Sequence, residues 1–105
     1  MILIADSGAT KTDWCFGTTL HDCQLVHTEG INPFHLTEEK IKQILQESLL
    51  AQLPFPQKEV KAVFFYGAGC TPEKAGKLSG LLAEVFSYAS IQVESDLLGA
   101  ARALC

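Results

Sequence analysis

Apolar residues open the chain as Met1-Ile2-Leu3-Ile4, stop at Asp6, and return at Trp14-Cys15-Phe16 after a stretch of small and polar positions. This pattern predicts a buried strand over 2–6, a second over 12–18 and a third over 22–28, with His21-Asp22 turning between the last two. Short links make the three an antiparallel meander. Gly30-Ile31-Asn32-Pro33 breaks the pattern. Thr37 then caps a predicted helix in which Ile41, Ile44, Leu45, Ser48 and Leu49 keep the helical period until Pro54 and Pro56. Val60 to Tyr66 reads as a strand covered on both faces, closed by Gly67-Ala68-Gly69. Thr71-Pro72 starts a second helix with Leu78, Leu81, Leu82, Val85 and Phe86 on one face. Ser90 to Glu94 is a short strand, and Ser95-Asp96 opens a last helix over 97–104. The predicted order is βββαβαβα.

At 105 residues the chain has room for one domain and one core, and two-lobed architectures do not fit. Eight basic against twelve acidic residues give a net charge of −4. No basic stripe is present, which argues against a nucleic-acid partner, so any phosphate binding must be local. Cys15, Cys23, Cys70 and Cys105 form no CxxC pair or zinc spacing and read as buried or idle thiols in a reducing compartment. No apolar run reaches the length of a membrane span or a signal segment, and a cytoplasmic location is expected.

The strongest chemical signal is Asp6-Ser7-Gly8-Ala9-Thr10-Lys11-Thr12, placed where one strand folds into the next. Amides of a glycine turn can converge on phosphate oxygens, Lys11 and the threonine hydroxyls can supplement them, and a hard Mg2+ ion takes an oxygen ligand such as Asp6. A Walker loop is excluded, because Lys11-Thr12 follows Gly8 too closely and strand-like residues come next. A Rossmann fingerprint lacks its further glycines. An ordinary polar hairpin turn is the competing reading. It does not account for an aspartate ending a buried strand together with Thr-Lys-Thr.

This segment resembles the first phosphate motif of the acetate and sugar kinase, heat-shock chaperone and actin superfamily. Gly30-Ile31-Asn32-Pro33, Phe65-Tyr66-Gly67-Ala68-Gly69-Cys70 and Ser95-Asp96-Leu97-Leu98-Gly99-Ala100-Ala101 are similar, in order, to landmarks of the N-acetylglucosamine kinase and BadF/BadG/BcrA/BcrD-type ATPase family. The resemblance spans the chain. It implies an α/β, ribonuclease-H-like (actin-like ATPase) domain, with a mixed five-stranded sheet and helices on both faces. It further implies ATP and Mg2+ as cofactors: Asp6 would position the metal through water, and Ser7, Gly8, Ala9, Thr10, Lys11 and Thr12 would hold the phosphates. Asn32, Gly69 and Asp96 would face an amino sugar, with Asp96 as the base that deprotonates its 6-hydroxyl.

On the residues alone several of these readings stay open. Asp96 at a helix start is more simply an N-cap, Asn32 before proline is equally a turn residue, and Gly67-Ala68-Gly69 equally a plain strand-to-helix turn. Cys70 lacks a nearby base, and His21, His27 and His35 read as structural or solvent-facing. Two other functions share the fold: an ATPase activating a 2-hydroxyacyl-CoA dehydratase or benzoyl-CoA reductase, and a module that binds nucleotide without catalysis. The last helix has no stop signal, so residues 1–105 are expected to be the first lobe of a longer two-lobed enzyme and inactive alone. Apolar surface on 97–104, uncovered without the second lobe, is expected to favour a homodimer.

Overall fold

The computed structural model describes residues 1–8, 10–18, 24–32, 36–67 and 72–94. Five strands form one mixed sheet: β1 (Ile2–Ser7), β2 (Lys11–Gly17), β3 (Gln24–Glu29), β4 (Ala62–Gly67) and β5 (Ser90–Glu94), in the order β3-β2-β1-β4-β5. The β1–β2 and β2–β3 pairs are antiparallel, and β1–β4 and β4–β5 are parallel. The meander is as the apolar pattern predicts. The third strand is described from Gln24 to Glu29, and the expected turn at His21-Asp22 and the start of the strand lie, with Cys23, outside the described residues.

Alternation decides which face is covered. Leu3, Ala5 and Ser7 of β1 pair with Phe16, Trp14 and Thr12 of β2 and with Val63, Phe65 and Gly67 of β4, all on the buried side. Period-2 patterning thus sends one apolar set into the core and the intervening residues to the other face. Trp14 and Phe65 are both fully buried, with ring centroids 5.9 Å apart.

Helix α1 begins at Glu38 and α2 is Pro72–Val85; they contact each other and add Ile41, Ile44, Leu45, Leu49, Leu78, Leu82 and Val85 to the core. The Thr37 side chain accepts a hydrogen bond from the Lys40 amide at 3.2 Å, as a cap should, and Glu38 and Glu39 complement the helix dipole. α1 is not uniform. Its α-helical turns Glu38–Gln43 widen into π-helix over Ile44–Leu49 and close with Leu50–Gln52, the Leu50 amide donating to the Leu45 carbonyl. The wide turns keep Ile44, Leu45 and Leu49 inside together. Both described helices lie on one face, and the helix expected over 97–104 lies outside the described residues.

One expectation is corrected. Cys15, read as an idle thiol, is disulfide-bonded to a partner outside the described residues. It lies on the sheet face opposite Trp14 and Phe16, and its spacing to the other cysteines carries no CxxC signal from which a bridge could be read. Among the described residues no helix is long and apolar enough to cross a membrane.

Candidate functional site

Parallel pairing brings the carboxyl ends of β1, β4 and β5 to one edge of the sheet, where the β1–β2 hairpin turns. Ligands of α/β sheets gather at such edges. The Gly8 amide donates to the Lys11 carbonyl at 2.8 Å and closes the hairpin, leaving Gly8, Thr10 and Lys11 exposed. Among the described residues, a Cβ added at Gly8 would meet the Lys11 carbonyl oxygen at 3.7 Å and nothing nearer.

Asp6, next to last in β1, lies on the face away from the buried Ala5 and Ser7. It is exposed, and among the described residues its carboxylate has no hydrogen bond or ion pair. Its register partner on β2 is Asp13. Like charges directly opposite repel, and Asp13 has its own partners: Lys11 Nζ lies 3.8 Å and His27 Nδ1 2.7 Å from the same Asp13 oxygen. Asp13 is therefore engaged while Asp6 is available. No group of three or more metal-ligating side chains occurs among the described residues. A single exposed carboxylate such as Asp6 is the kind of ligand Mg2+ takes, since that ion keeps most of its shell as water and phosphate oxygens.

The hydroxyls expected to face phosphate divide. Thr10 is exposed, whereas Ser7 and Thr12 turn inward and are buried. The Ile31 amide donates to Ser7 Oγ at 2.9 Å; Ser7 Oγ lies 3.0 Å from the Ile31 carbonyl and 2.8 Å from Thr12 Oγ1. The Thr12 hydroxyl donates to the Glu29 carbonyl at 3.0 Å. These two side chains hold the hairpin against the segment leading to Asn32, which is half-buried. The hydroxyls of Ser7 and Thr12 are thus occupied inside the protein, not turned to a ligand. Ala9, Gly69 and Asp96 lie outside the described residues.

Three further residues belong to this edge and were not singled out as site residues from sequence: Asp13, its partner His27, and Tyr66. His27 is exposed, as read, but its link to Asp13 emerges only from the β2–β3 register. Tyr66 pairs with Asp6 on one side and Glu94 on the other. It is buried, and burial, with the Glu94 carboxylate as a lesser cause, raises its phenol above the ordinary value of 10.0. The fold therefore keeps this proton to higher pH than the unfolded chain does. The associated stability is complete below about pH 10 and is lost as pH rises through the folded value. Tyr66→Phe is expected to flatten the alkaline limb of stability measured by urea unfolding; superimposable profiles would refute the assignment.

A cleft of about 600 Å³ lined by Met1, Thr18, Lys58, Glu59, Lys61 and Tyr88 lies at the opposite edge, where β1 begins. Size alone therefore does not locate the hairpin chemistry.

No family model and no curated protein matches this chain. Among solved structures, the crystal structure of a Porphyromonas gingivalis protein provisionally assigned as an N-acetylglucosamine kinase superposes with a TM-score of 0.87 at 44% sequence identity. The match covers 100% of this chain and 38% of that one, so this chain spans under half of its neighbour's length.

Proposed function

We propose that this chain, which belongs to the N-acetylglucosamine kinase-type family and has its ribonuclease-H-like α/β fold, is the phosphate-facing lobe of an ATP-dependent sugar kinase. The observation that carries the proposal is the Asp6 carboxylate, which has no partner among the described residues, beside an exposed glycine hairpin at the carboxyl edge of the sheet. The reaction moves the γ-phosphoryl group of ATP to the 6-hydroxyl of an amino sugar. A bond forms between that oxygen and the γ-phosphorus, the bond to the bridging oxygen of ADP breaks, and Asp96 takes the hydroxyl proton.

Phosphoryl transfer asks a protein mainly to position groups and to stabilise charge. The turn after Gly8, whose own amide is spent on the Lys11 carbonyl, would face the phosphate chain, with the Thr10 hydroxyl and the Lys11 ammonium at its rim. Lys11 would exchange its contact with Asp13 for one with phosphate, an inexpensive move because an exposed pair at this distance contributes little. Mg2+, when bound, would neutralise phosphate charge, and Asp6 would hold it through water. Asn32 and Gly69 would line the sugar side. The adenosine site and second phosphate motif belong, in such kinases, to a later lobe. A cytoplasmic location follows from the use of ATP, and there the Cys15 disulfide would face reducing conditions.

Asp6→Asn tests the phosphate half of this reading in the chain itself. Removing the charge from a ligand that acts through water is expected to weaken Mg2+-dependent binding of inorganic tripolyphosphate by on the order of 10–100-fold. Calorimetric titration with and without Mg2+ reads this directly. Equal Mg2+-dependent affinity in the variant and the parent would remove Asp6 from the metal site.

A further inference from the structure

The reading of the hairpin as a phosphate site leaves Ser7 without a ligand-facing role for its side chain, since the hydroxyl points into the protein. It is nevertheless the most heavily engaged hydroxyl at this edge. Ser7 is 5% exposed and meets the Ile31 amide at 2.9 Å, the Ile31 carbonyl at 3.0 Å and Thr12 Oγ1 at 2.8 Å. Thr12, fully buried, carries the chain onward to the Glu29 carbonyl at 3.0 Å. Both ends of the short segment from Glu29 to Ile31 are therefore gripped by side chains of the hairpin, and Asn32 follows directly.

On its other side Ser7 faces β4, with Gly67 as its register partner. A Cβ built at Gly67 would lie 3.2 Å from Ser7 Cβ and 3.5 Å from its carbonyl oxygen. Ser7 thus sits where the phosphate turn, the segment before Asn32 and the end of β4 converge, and its backbone has little room to shift alone. Buried hydrogen-bond networks of this kind have few alternative arrangements, so a displacement at one end is passed along instead of being absorbed.

Resting on the phosphate reading above, we infer that Ser7 is a positioning residue that couples occupancy of the hairpin to the placement of Asn32. Phosphate drawn into the Gly8 to Lys11 turn pulls on the end of β1. The Ser7 hydroxyl transmits that pull to both polar groups of the Ile31 peptide units it touches. The acceptor-side loop is then set by the donor's phosphates, through one side chain that touches neither substrate.

The test follows backbone amide shifts of the chain by nuclear magnetic resonance during titration with magnesium tripolyphosphate. In the parent, Gly8, Thr10 and Lys11 are expected to respond, and Ile31 and Asn32 to respond with the same midpoint. Ser7→Ala is expected to keep the hairpin response and lose the Ile31 and Asn32 response. Thr28→Val is the matched control: it removes another buried hydroxyl, one that accepts from Trp14 Nε1 at 2.9 Å and donates to the Glu29 carbonyl at 3.1 Å, so it reaches the same segment without a hydrogen bond to Ile31. It is expected to keep both responses.

Ser7→Cys, which retains the shape with a weaker hydrogen-bonding group, is expected to give a partial loss and serves if Ser7→Ala does not fold. Persistence of the Ile31 and Asn32 shifts in the Ser7 variants overturns the coupling, as does their equal loss in Thr28→Val. A parent whose hairpin amides stay silent instead overturns the phosphate reading, and the coupling with it.

Discussion

Asp96→Asn, made in a polypeptide that carries both lobes, is expected to lower kcat for sugar phosphorylation by about 10²–10⁴-fold, the usual contribution of a positioned general base. An amide has nearly the shape of a carboxylate and can still hydrogen-bond a sugar hydroxyl, but it does not take up the proton released as that oxygen attacks. KM for the sugar should change far less than kcat, because binding and proton removal are separate tasks of the same group. Nucleotide affinity should be unchanged. On the proposed reading it rests on Asp6 and the hairpin, which belong to β1 and the β1–β2 turn. Asp96 itself follows β5, whose Glu94 lies on the rung shared by Tyr66 and Asp6.

The same variant separates the three functions that share the fold. A nucleotide-binding module should lose nothing, and an ATPase activator should keep hydrolysing ATP, since neither needs a base for a sugar hydroxyl. Steady-state kinetics of sugar phosphorylation and ATP hydrolysis, with calorimetry for nucleotide, read all three. A kcat within tenfold of the parent would remove Asp96 from the role of base.

The fold was legible because its signals are periodic. Leu3 and Ala5, then Trp14 and Phe16, alternate with residues of the other face, and this is the arrangement the sheet adopts. Thr37 and Pro54 mark where the first helix starts and stops without any tertiary information. The widening at Ile44–Leu49 left no such mark, because an apolar helix face reads alike with α or π hydrogen bonding.

The site was legible in part for a different reason. Asp6, Gly8 and Lys11 are close in sequence as well as in space, so their chemistry shows as a motif. Asp13 with His27, and Tyr66 with Glu94, meet only through strand register, which single residues do not display. The orientation of Ser7 and Thr12 was hidden too. A hydroxyl beside a glycine turn suits a phosphate or a buried carbonyl equally well, and only the arrival of Ile31 and Glu29 selects the second.

Gly67 shows the same distinction in its sharpest form, and Gly67→Ala is expected to destabilise the chain by about 1–3 kcal/mol, the usual cost of overpacking a close-packed interior. From sequence, glycine at the end of β4 suits either the close approach of a ligand or a simple turn. The structure supplies a third reason. An added Cβ would stand 2.9 Å from Phe65 Cε1 and 3.2 Å from Ser7 Cβ. Neither neighbour yields easily: Phe65 is fully buried against Trp14, and Ser7 is held by its bonds to Ile31 and Thr12. The methyl must therefore push β4 away from β1 or turn Phe65 out of its rotamer.

Urea unfolding should show this as a lower midpoint with an unchanged slope. Gly76→Ala is the contrasting case. That glycine lies inside α2 with nothing within 4 Å of an added Cβ, and the better helix propensity of alanine should stabilise by up to about 1 kcal/mol. Opposite signs for the same substitution are the expected result. A neutral or stabilising Gly67→Ala would mean that β1 and β4 separate readily at this edge, and that Ser7 is not clamped between them.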